Sequence, residues 1–305
     1  MTIKPESAYI PNELQVTTPT SFDRWWHRRL ADPATPVPRP AGVWDALLGG
    51  DTHSTADQGV ADDLLAASVD LDEWAERLVE FRQQAVTQLD RAGCRQWLDL
   101  GAGLPTATSL YHDLCTRTRG GHTLVCVDND PFISDCTRAY TSTRTSRVRT
   151  AALTADLRRP DTMLHRLSRG RPAGLLDRTR PVTVIAGAVL HHLSDHQASG
   201  LLASIRQIVA PGSQLVVTHW ANPDPADCQL RTAVDRYHHD AAPLYLRTPR
   251  QVQGLIGAGW TLHPPGIHKL PLFDDTAMVA GWGLTATATT ARGGAVASPA
   301  LRWQR

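Results

Sequence analysis

The sequence lacks a long hydrophobic run, an excess of charge of either sign and a paired-cysteine motif. No run of about 18 apolar residues is present, which argues against a membrane-spanning helix. The first residues lack the apolar core of a signal peptide. The formal net charge is only +1, too little for the strong positive field that nucleic-acid or acidic-membrane binding requires. These absences predict a cytoplasmic protein that binds neither nucleic acid nor membranes.

The cysteine content excludes two further classes. Five cysteines are present, an odd number, and none belongs to a C-x-x-C pair. The cysteines therefore imply neither a disulfide framework nor a zinc site of recognisable spacing. We predict a reducing compartment and no bound metal.

What the chain does contain is a motif between Gln96 and Thr106 (QWLDLGAGLPT). It predicts a strand, a tight turn and a helix N-terminus, the unit that holds nucleotide-like ligands in open α/β sheets. Gly101 and Gly103 carry no Cβ, so the backbone there can bend sharply and approach a ligand. A dinucleotide fingerprint would need glycine at the position of Thr106. An acid two residues before the first glycine is instead typical of S-adenosylmethionine (SAM) methyltransferases.

Strands and helices alternate after residue 95, which predicts a Rossmann-like α/β fold. Five strands with intervening helices are followed by a helix over Thr248–Gly257 and by two closing strands. We therefore predict a seven-stranded, mostly parallel sheet with one antiparallel strand.

An aspartate follows each of the first three predicted strands. Asp128 lies 25 positions beyond Gly103, about where an acid accepts hydrogen bonds from both ribose hydroxyls. Asp156, with Leu157, is placed to contact the edge and face of an adenine. Each acid could instead be a capping or turn residue. Three at consecutive strand ends, with Asp99 as the first, favour a ligand site.

From about Pro40 to Leu284 the chain resembles class I SAM-dependent methyltransferases, most of all an actinobacterial branch long catalogued as a domain of unknown function. The resemblance is carried by VWDALLGG (43–50), DLGAGLPT (99–106), VDNDP (127–131), ADL (155–157) and AVLH (188–191). It implies a class I methyltransferase fold and SAM as the cofactor. It also implies cofactor contacts at the matching positions: Asp99, Gly101, Gly103, Thr106, Asp128, Asn129, Asp156, Leu157 and Ala188.

Methyl transfer to an atom that carries a proton needs a base near the ends of the fourth and fifth strands. His219 ends the fifth strand, His191 follows the fourth, and Tyr237 lies in an insert over residues 221–246. A neutral imidazole can accept a proton near physiological pH, so we predict catalytic roles for these residues. Each histidine could instead be structural, and catalysis could rest on proximity alone.

The predicted organisation has three parts. Residues 1–40 form an arm with a short helix (Phe22–Ala31) and a proline-rich linker. Residues 41–284 form the methyltransferase domain, with a helical lid (41–92) and an α/β core (93–284), and residues 285–305 form a disordered tail.

Aromatic residues of the arm, the lid and the insert predict a pocket for a small, flat acceptor. Trp25, Trp26 and Trp44 would face Tyr237 there. We expect an aromatic or indole-bearing specialised metabolite. The alternatives are a non-catalytic SAM-binding regulator and an NAD-dependent oxidoreductase, and the sequence allows a homodimer.

Overall fold

The computed structural model describes residues 37–67, 70–142, 147–169, 174–222, 228–272 and 279–289. The predicted arm up to residue 36, with its helix and with Trp25 and Trp26, lies outside the described residues, as does the predicted tail from residue 290 onward. Within the described ranges, no helix combines the length and the apolar character that crossing a bilayer would take.

One seven-stranded sheet runs through the described part of the chain, in the order β3-β2-β1-β4-β5-β7-β6. Strands β1 to β5 are parallel, and β7 runs antiparallel to both β5 and β6. This confirms the predicted sheet with its one antiparallel strand. The strands are β1 (Gln96–Leu100), β2 (His122–Asp128), β3 (Val148–Thr154), β4 (Thr183–Gly187), β5 (Gln214–Trp220), β6 (Trp260–Pro271) and β7 (Val279–Ala288).

Helices cover both faces of this sheet, and its central strands are accordingly apolar on both sides. A short 3-10 turn over Leu190–His192 follows β4. The described α-helices are α1 (Pro40–Leu47), α2 (Thr55–Ala67), α3 (Leu71–Arg91), α4 (Leu110–Thr116), α5 (Pro131–Ser142), α6 (Pro160–Leu167), α7 (Asp195–Ile208), α8 (Cys228–Asp240) and α9 (Pro249–Ile256).

The core consists of two main apolar layers, one on each face. Successive residues of β1 point to opposite faces, so Trp97 enters one layer and Leu98 the other. The long helix α3 buries Trp74, Leu78 and Phe81, three or four residues apart, in the layer of Trp97. This helix therefore fixes the amino-terminal helical segment to the sheet.

Helix α4 begins four residues later than the predicted start at Thr106. Ser109 caps it, because the Ser109 side chain accepts a hydrogen bond from the backbone N–H of His112. The Ser109 hydroxyl also donates to the Thr106 carbonyl at 2.7 Å. Thr106 thus lies in a turn that leaves its backbone beside the strand ends.

The prediction that order ends at residue 284 is wrong for residues 285–288. They complete β7, which is hydrogen-bonded to β5 on one side and to β6 on the other. Ala286 and Ala288 are fully buried, and the Thr287 hydroxyl donates to the Gln214 side chain at 3.1 Å. A polar, alanine-rich sequence is therefore ordered here because it fills the gap between two strands.

Candidate functional site

A cavity of about 230 Å³, open to solvent, lies at the carboxyl ends of β1 to β5 and is bordered by α1. Ligands of doubly wound sheets bind at this edge, near the switch in strand order between β1 and β4. All the residues predicted to contact the cofactor line this one cavity, as do His191 and Tyr237, whereas His219 does not.

We distinguish two walls of the cavity. The β1–β3 wall consists of the residues that follow the first three strands, namely Asp99, Gly101, Gly103, Thr106, Asp128, Asn129, Asp156 and Leu157. The β4–β5 wall consists of His191, His192, Trp220 and Tyr237, with Trp44 of α1 packed against it. Ala188 lies where the two walls meet.

The glycine turn shapes the β1–β3 wall. Gly101 and Gly103 have φ values of +68° and +63°, which residues with a side chain rarely adopt. A Cβ on Gly101 would come within 2.3 Å of Val189 Cγ2, so the turn is packed tightly against the segment after β4. A Cβ on Gly103 would meet only Ala41, at 3.9 Å. Gly103 thus leaves its backbone open to the cavity.

Asp128 ties the glycine turn to the loop after β2. Its carboxylate accepts hydrogen bonds from the backbone N–H groups of Gly103 and Asp130, both at 3.0 Å. Burial raises the pKa of Asp128, and these hydrogen bonds oppose the shift. The carboxylate is therefore held rigidly, with oxygen lone pairs left for a ligand.

Asp99 presents a carboxylate that no hydrogen bond satisfies among the described residues. The side chain is buried, and desolvation raises its pKa to about 7, with Arg82 opposing the shift and Asp128 and Asp113 adding to it. Arg82 also lines the cavity, and its Nε atom is buried without a partner in the described residues. Arg82 is paired with Asp113 through Nη2. A carboxylate without a hydrogen-bond partner and an arginine with an unused Nε–H, both judged among the described residues, thus line the same cavity.

Asp156 ends the β1–β3 wall near the surface. Arg158, two residues away, donates through its backbone N–H and through Nε, both at 2.9 Å from Oδ1. Burial opposes ionisation of Asp156, but the hydrogen bonds and charge of Arg158 outweigh it and lower its pKa. Leu157 next to it is buried and offers an apolar face.

Ala188 is the one residue other than glycine with a positive φ, 51°, in the described chain. Its backbone N–H donates to the carbonyl oxygen of Thr218 at 3.1 Å and to the Thr218 hydroxyl at 3.0 Å. Strained backbone of this kind persists where surrounding bonds hold it, often at functional sites. Here it turns the chain after β4 across the cavity.

Aromatic rings dominate the β4–β5 wall. His191 stacks on Trp220 at 5.5 Å between ring centroids, and Trp220 lies 5.9 Å from Trp44. His192 stacks on Tyr237 at 6.1 Å. Two buried polar atoms of this wall, Nδ1 of His191 and Nε1 of Trp220, have no hydrogen-bond partner in the described residues. The aromatic wall thus keeps two unused hydrogen-bonding atoms in its interior.

His219 lies behind this wall rather than in it. Its Nδ1 donates to the carbonyl oxygen of Trp220 at 2.7 Å, so its Nε2 carries the lone pair. Arg247 Nη1 donates to that Nε2 at 3.1 Å. Burial, aided by the charge of Arg247, lowers the pKa of His219 to about 4. The proton-accepting atom predicted for catalysis is therefore already occupied by a guanidinium.

Arg247 is a residue that sequence reasoning missed. It is 2% exposed and donates to the carbonyl oxygens of Leu190 at 3.0 Å and Leu193 at 2.6 Å, on either side of the two histidines. Its Nε also donates to Asp195 at 2.8 Å. Arg247 thus fixes the turn that carries His191 and His192. Its only signal in the sequence was an arginine before a helix N-cap.

Helix α1 covers the side of the cavity opposite the strand ends, and the segment after α1 is bonded to it. Asp45, which lines the cavity, accepts from the Thr52 backbone N–H at 2.7 Å and from His53 Nδ1 at 3.1 Å. Arg39 Nε donates to Asp130 Oδ2 at 3.0 Å, which joins the start of α1 to the loop after β2. The described residues hold no cluster of three or more ligands placed for a metal ion.

Comparison with known proteins agrees with this geometry. A family model described as S-adenosyl methyltransferase matches residues 27–293. A candidate methyltransferase from Thermobifida fusca YX has a similar structure, with a TM-score of 0.74 and 25% identity over 87% of this chain and 99% of that one. A DUF574 family protein from Streptomyces avermitilis MA-4680 is also similar, with a TM-score of 0.72 and 25% identity over 83% of this chain and 98% of that one. No curated protein sequence matches the chain.

The family model covers most of the chain, including both walls of the cavity and the β1 glycine turn. The sheet order and the single antiparallel strand are those expected of a class I methyltransferase. The protein is thus a SAM-dependent methyltransferase, and the chain belongs to the S-adenosyl methyltransferase family.

Proposed function

We propose that this enzyme methylates a small, flat acceptor, an aromatic or indole-bearing specialised metabolite, with SAM held by the β1–β3 wall. The observation that carries the proposal is that the whole predicted cofactor set lines one cavity, which continues into an aromatic wall. Each end of the cofactor has a chemically suitable partner there.

The amino-acid end of SAM carries an ammonium and a carboxylate, and we place it at Asp99 and Arg82. Among the described residues, the Asp99 carboxylate has no hydrogen-bond partner. Arg82 pairs with Asp113 through Nη2, and its Nε has no partner there. Unsatisfied buried polar groups are costly, so a ligand that pairs both would be strongly favoured. The glycine turn beside them lets the ligand approach the backbone at Gly103.

The nucleoside end fits the loops after β2 and β3. We assign Asp128 to the ribose hydroxyls, because its carboxylate is already oriented by two backbone N–H groups. Asn129 lies next to it, and Asp156 with Leu157 would contact the edge and face of the adenine. Thr106 and Ala188, which also line the cavity, would complete the set of cofactor contacts.

The balance of charge in the cavity favours SAM over a dinucleotide. Five aspartates line it, against three arginines. Each of those arginines is paired with an aspartate, through Arg39–Asp130, Arg158–Asp156 and Arg82–Asp113. Three lining aspartates, Asp45, Asp99 and Asp128, therefore have no arginine partner among the described residues. Their negative charge attracts a sulfonium and repels a pyrophosphate.

When bound, SAM supplies an electrophilic methyl group on a positively charged sulfur. The protein's own contribution is to orient the acceptor, to exclude water and to receive a proton. The rings of Trp44, Trp220 and Tyr237 suit a flat acceptor, and their faces also stabilise nearby positive charge. Burial raises the pKa of Tyr237, so its hydroxyl stays protonated and donates hydrogen bonds. His219, engaged by Arg247, does not act as the base in this mechanism.

Calorimetry tests the cofactor assignment. SAM and its demethylated product, S-adenosylhomocysteine, should bind, and NAD⁺ should not. Asp128→Ala should weaken binding by about 1.5–3 kcal/mol, since charge-assisted hydrogen bonds are lost. Asp135→Ala is the matched control, because Asp135 is an exposed aspartate of α5 that pairs with Arg138 and does not line the cavity. Equal affinity of both variants would refute the assignment of Asp128.

A further inference from the structure

Among the described residues, one ring nitrogen of His192 is hydrogen-bonded and the other is not. His192 Nδ1 lies 2.9 Å from the carbonyl oxygen of Pro243. A carbonyl oxygen can only accept, so Nδ1 carries the hydrogen and Nε2 carries the lone pair. Among the described residues no donor bonds to that Nε2. This is how a backbone carbonyl orients an imidazole that accepts protons.

The surroundings of His192 keep it neutral. The groups that face it are the imidazole of His191, with 4.5 Å between the two ring centroids, the ring of Tyr237 and, further back, His219. Burial lowers the pKa of His191 well below its ordinary value and raises that of Tyr237, so neither is charged near neutral pH. Burial also lowers the pKa of His192, with the Pro243 bond opposing the shift.

The neighbouring histidines cannot perform the same task. His219 has the same tautomer as His192, but Arg247 donates to its Nε2. His191 is almost completely buried, between Trp220 and His219, and its Nδ1 is closed off from solvent. His192 is only partly buried and lines the cavity, so it can both receive a proton and release it to water.

We propose that His192 Nε2 is the proton acceptor of the reaction, and that the acceptor carries its nucleophilic O–H or N–H on an aromatic ring stacked in the β4–β5 wall. This inference rests on the proposed function. The proton of the nucleophile moves to Nε2, and the electron pair of that broken bond forms the new bond to the methyl carbon. The pair of the carbon–sulfur bond stays with sulfur, and the imidazolium then gives its proton to solvent.

The test uses 4-nitrophenol as the probe, with nitrobenzene as the matched probe that lacks the hydroxyl. Both are added to the full-length protein saturated with S-adenosylhomocysteine, and absorbance reports how much bound nitrophenol is ionised. The variants are His192→Ala, His192→Gln and the control His196→Ala, an exposed histidine of α7. Calorimetry with S-adenosylhomocysteine is run first on every variant.

The wild type and His196→Ala should bind 4-nitrophenol with enhanced ionisation. His192→Ala should lose about tenfold in affinity for 4-nitrophenol and none for nitrobenzene, since only the hydroxyl loses its partner. His192→Gln should retain part of the affinity but not the ionisation, because an amide accepts a hydrogen bond and not a proton. A purely structural role would not separate the two probes.

Two outcomes would overturn the inference. One is unchanged ionisation of bound 4-nitrophenol in His192→Ala, and the other is failure of the wild type to bind either probe. If S-adenosylhomocysteine itself does not bind the wild type, the proposed function fails instead, and the first measurement shows which of the two has failed.

Discussion

The β1–β3 wall and the β4–β5 wall are held together by different kinds of contact. In the β1–β3 wall, Asp156 bonds to Arg158 and Asp128 to Asp130, in each case two residues along the chain. In the β4–β5 wall, His192 bonds to Pro243 across 51 positions, and Arg247 reaches Leu190 across 57. Asp128 also accepts from Gly103 across 25 positions, but that bond joins two loops of the same wall. The β1–β3 wall is thus held by bonds among its own loops, whereas the β4–β5 wall is held by Pro243 and Arg247 of the segment after α8.

The two walls therefore depend on different parts of the chain for their geometry. A wall made of short turns after strands keeps its geometry whenever the sheet forms, which suits a cofactor that does not vary. A wall that depends on a distant segment can change as that segment changes, which suits acceptors that differ between enzymes. The two walls should therefore respond separately to substitution.

Substitution of Arg247, which holds the β4–β5 wall in place, should have the largest effect. Arg247→Met removes the guanidinium bonds to the Leu190 and Leu193 carbonyl oxygens and to Asp195. We expect the free energy of unfolding to fall by about 2–5 kcal/mol. Affinity for S-adenosylhomocysteine should change by less than about threefold, while 4-nitrophenol binding is lost, because only the β4–β5 wall moves. Chemical denaturation and calorimetry measure the two effects.

Arg206→Met is the matched control for Arg247→Met. Arg206 also bonds to backbone carbonyl oxygens, those of Gly259 and Thr289, but far from the cavity. The Arg206→Met variant should be less stable than the wild type but should bind S-adenosylhomocysteine and 4-nitrophenol with unchanged affinity. If Arg247→Met weakens S-adenosylhomocysteine as strongly as it weakens 4-nitrophenol, the walls are not independent.

The next effect concerns the glycine turn. In Gly103→Ala a positive φ is imposed on alanine at a cost of about 1–2 kcal/mol, and the new methyl points to open space in the cavity. We expect affinity for S-adenosylhomocysteine to fall at least about tenfold. Gly93→Ala carries a similar strain, with φ at +92° and nothing within 4 Å, but lies outside the cavity lining. Similar affinity losses in both variants would mean that strain alone is responsible.

The smallest effect is the pH dependence of cofactor binding. The pKa of Asp99 is raised to about 7, so its carboxyl group takes up a proton as the pH falls through that value. An ammonium group binds the ionised form, so affinity for S-adenosylhomocysteine should fall about tenfold between about pH 8 and about pH 6. Asp99→Asn should bind more weakly at high pH and lose this dependence. An unchanged pH profile in Asp99→Asn would remove Asp99 from the site.

The raised pKa of Asp99 also makes the stability of the folded protein depend on pH. Because burial raises the folded-state pKa of Asp99 above its ordinary 3.8, ionising it costs stability above about pH 7, and the cost disappears as the pH falls. Without ligand, Asp99→Asn should therefore be more stable than the wild type at about pH 8 and similar near about pH 4. Thermal unfolding across this range measures the difference.

Hydrophobic alternation and turn residues were sufficient to predict the sheet and most helices, because these signals are local. The helix predicted over Thr248–Gly257 is α9 (Pro249–Ile256), one residue shorter at each end. Helix α6, between β3 and β4, carries a local signal of this kind, since Pro160 at its first position is a favourable start. Strand β7 was predicted too short, since alanine and threonine become ordered there only by pairing with β5 and β6.

The sequence by itself determined the position of the cavity and the members of its β1–β3 wall. Acids and glycines directly after strands must lie together, because parallel strands end at one edge of the sheet. Only the tertiary structure decided what each histidine of the other wall can do. His192 and His219 are both histidines near strand ends, and they differ in whether a guanidinium from a segment far along the chain occupies Nε2. No local pattern encodes that contact, because it depends on how the segment after α8 packs against the end of the sheet.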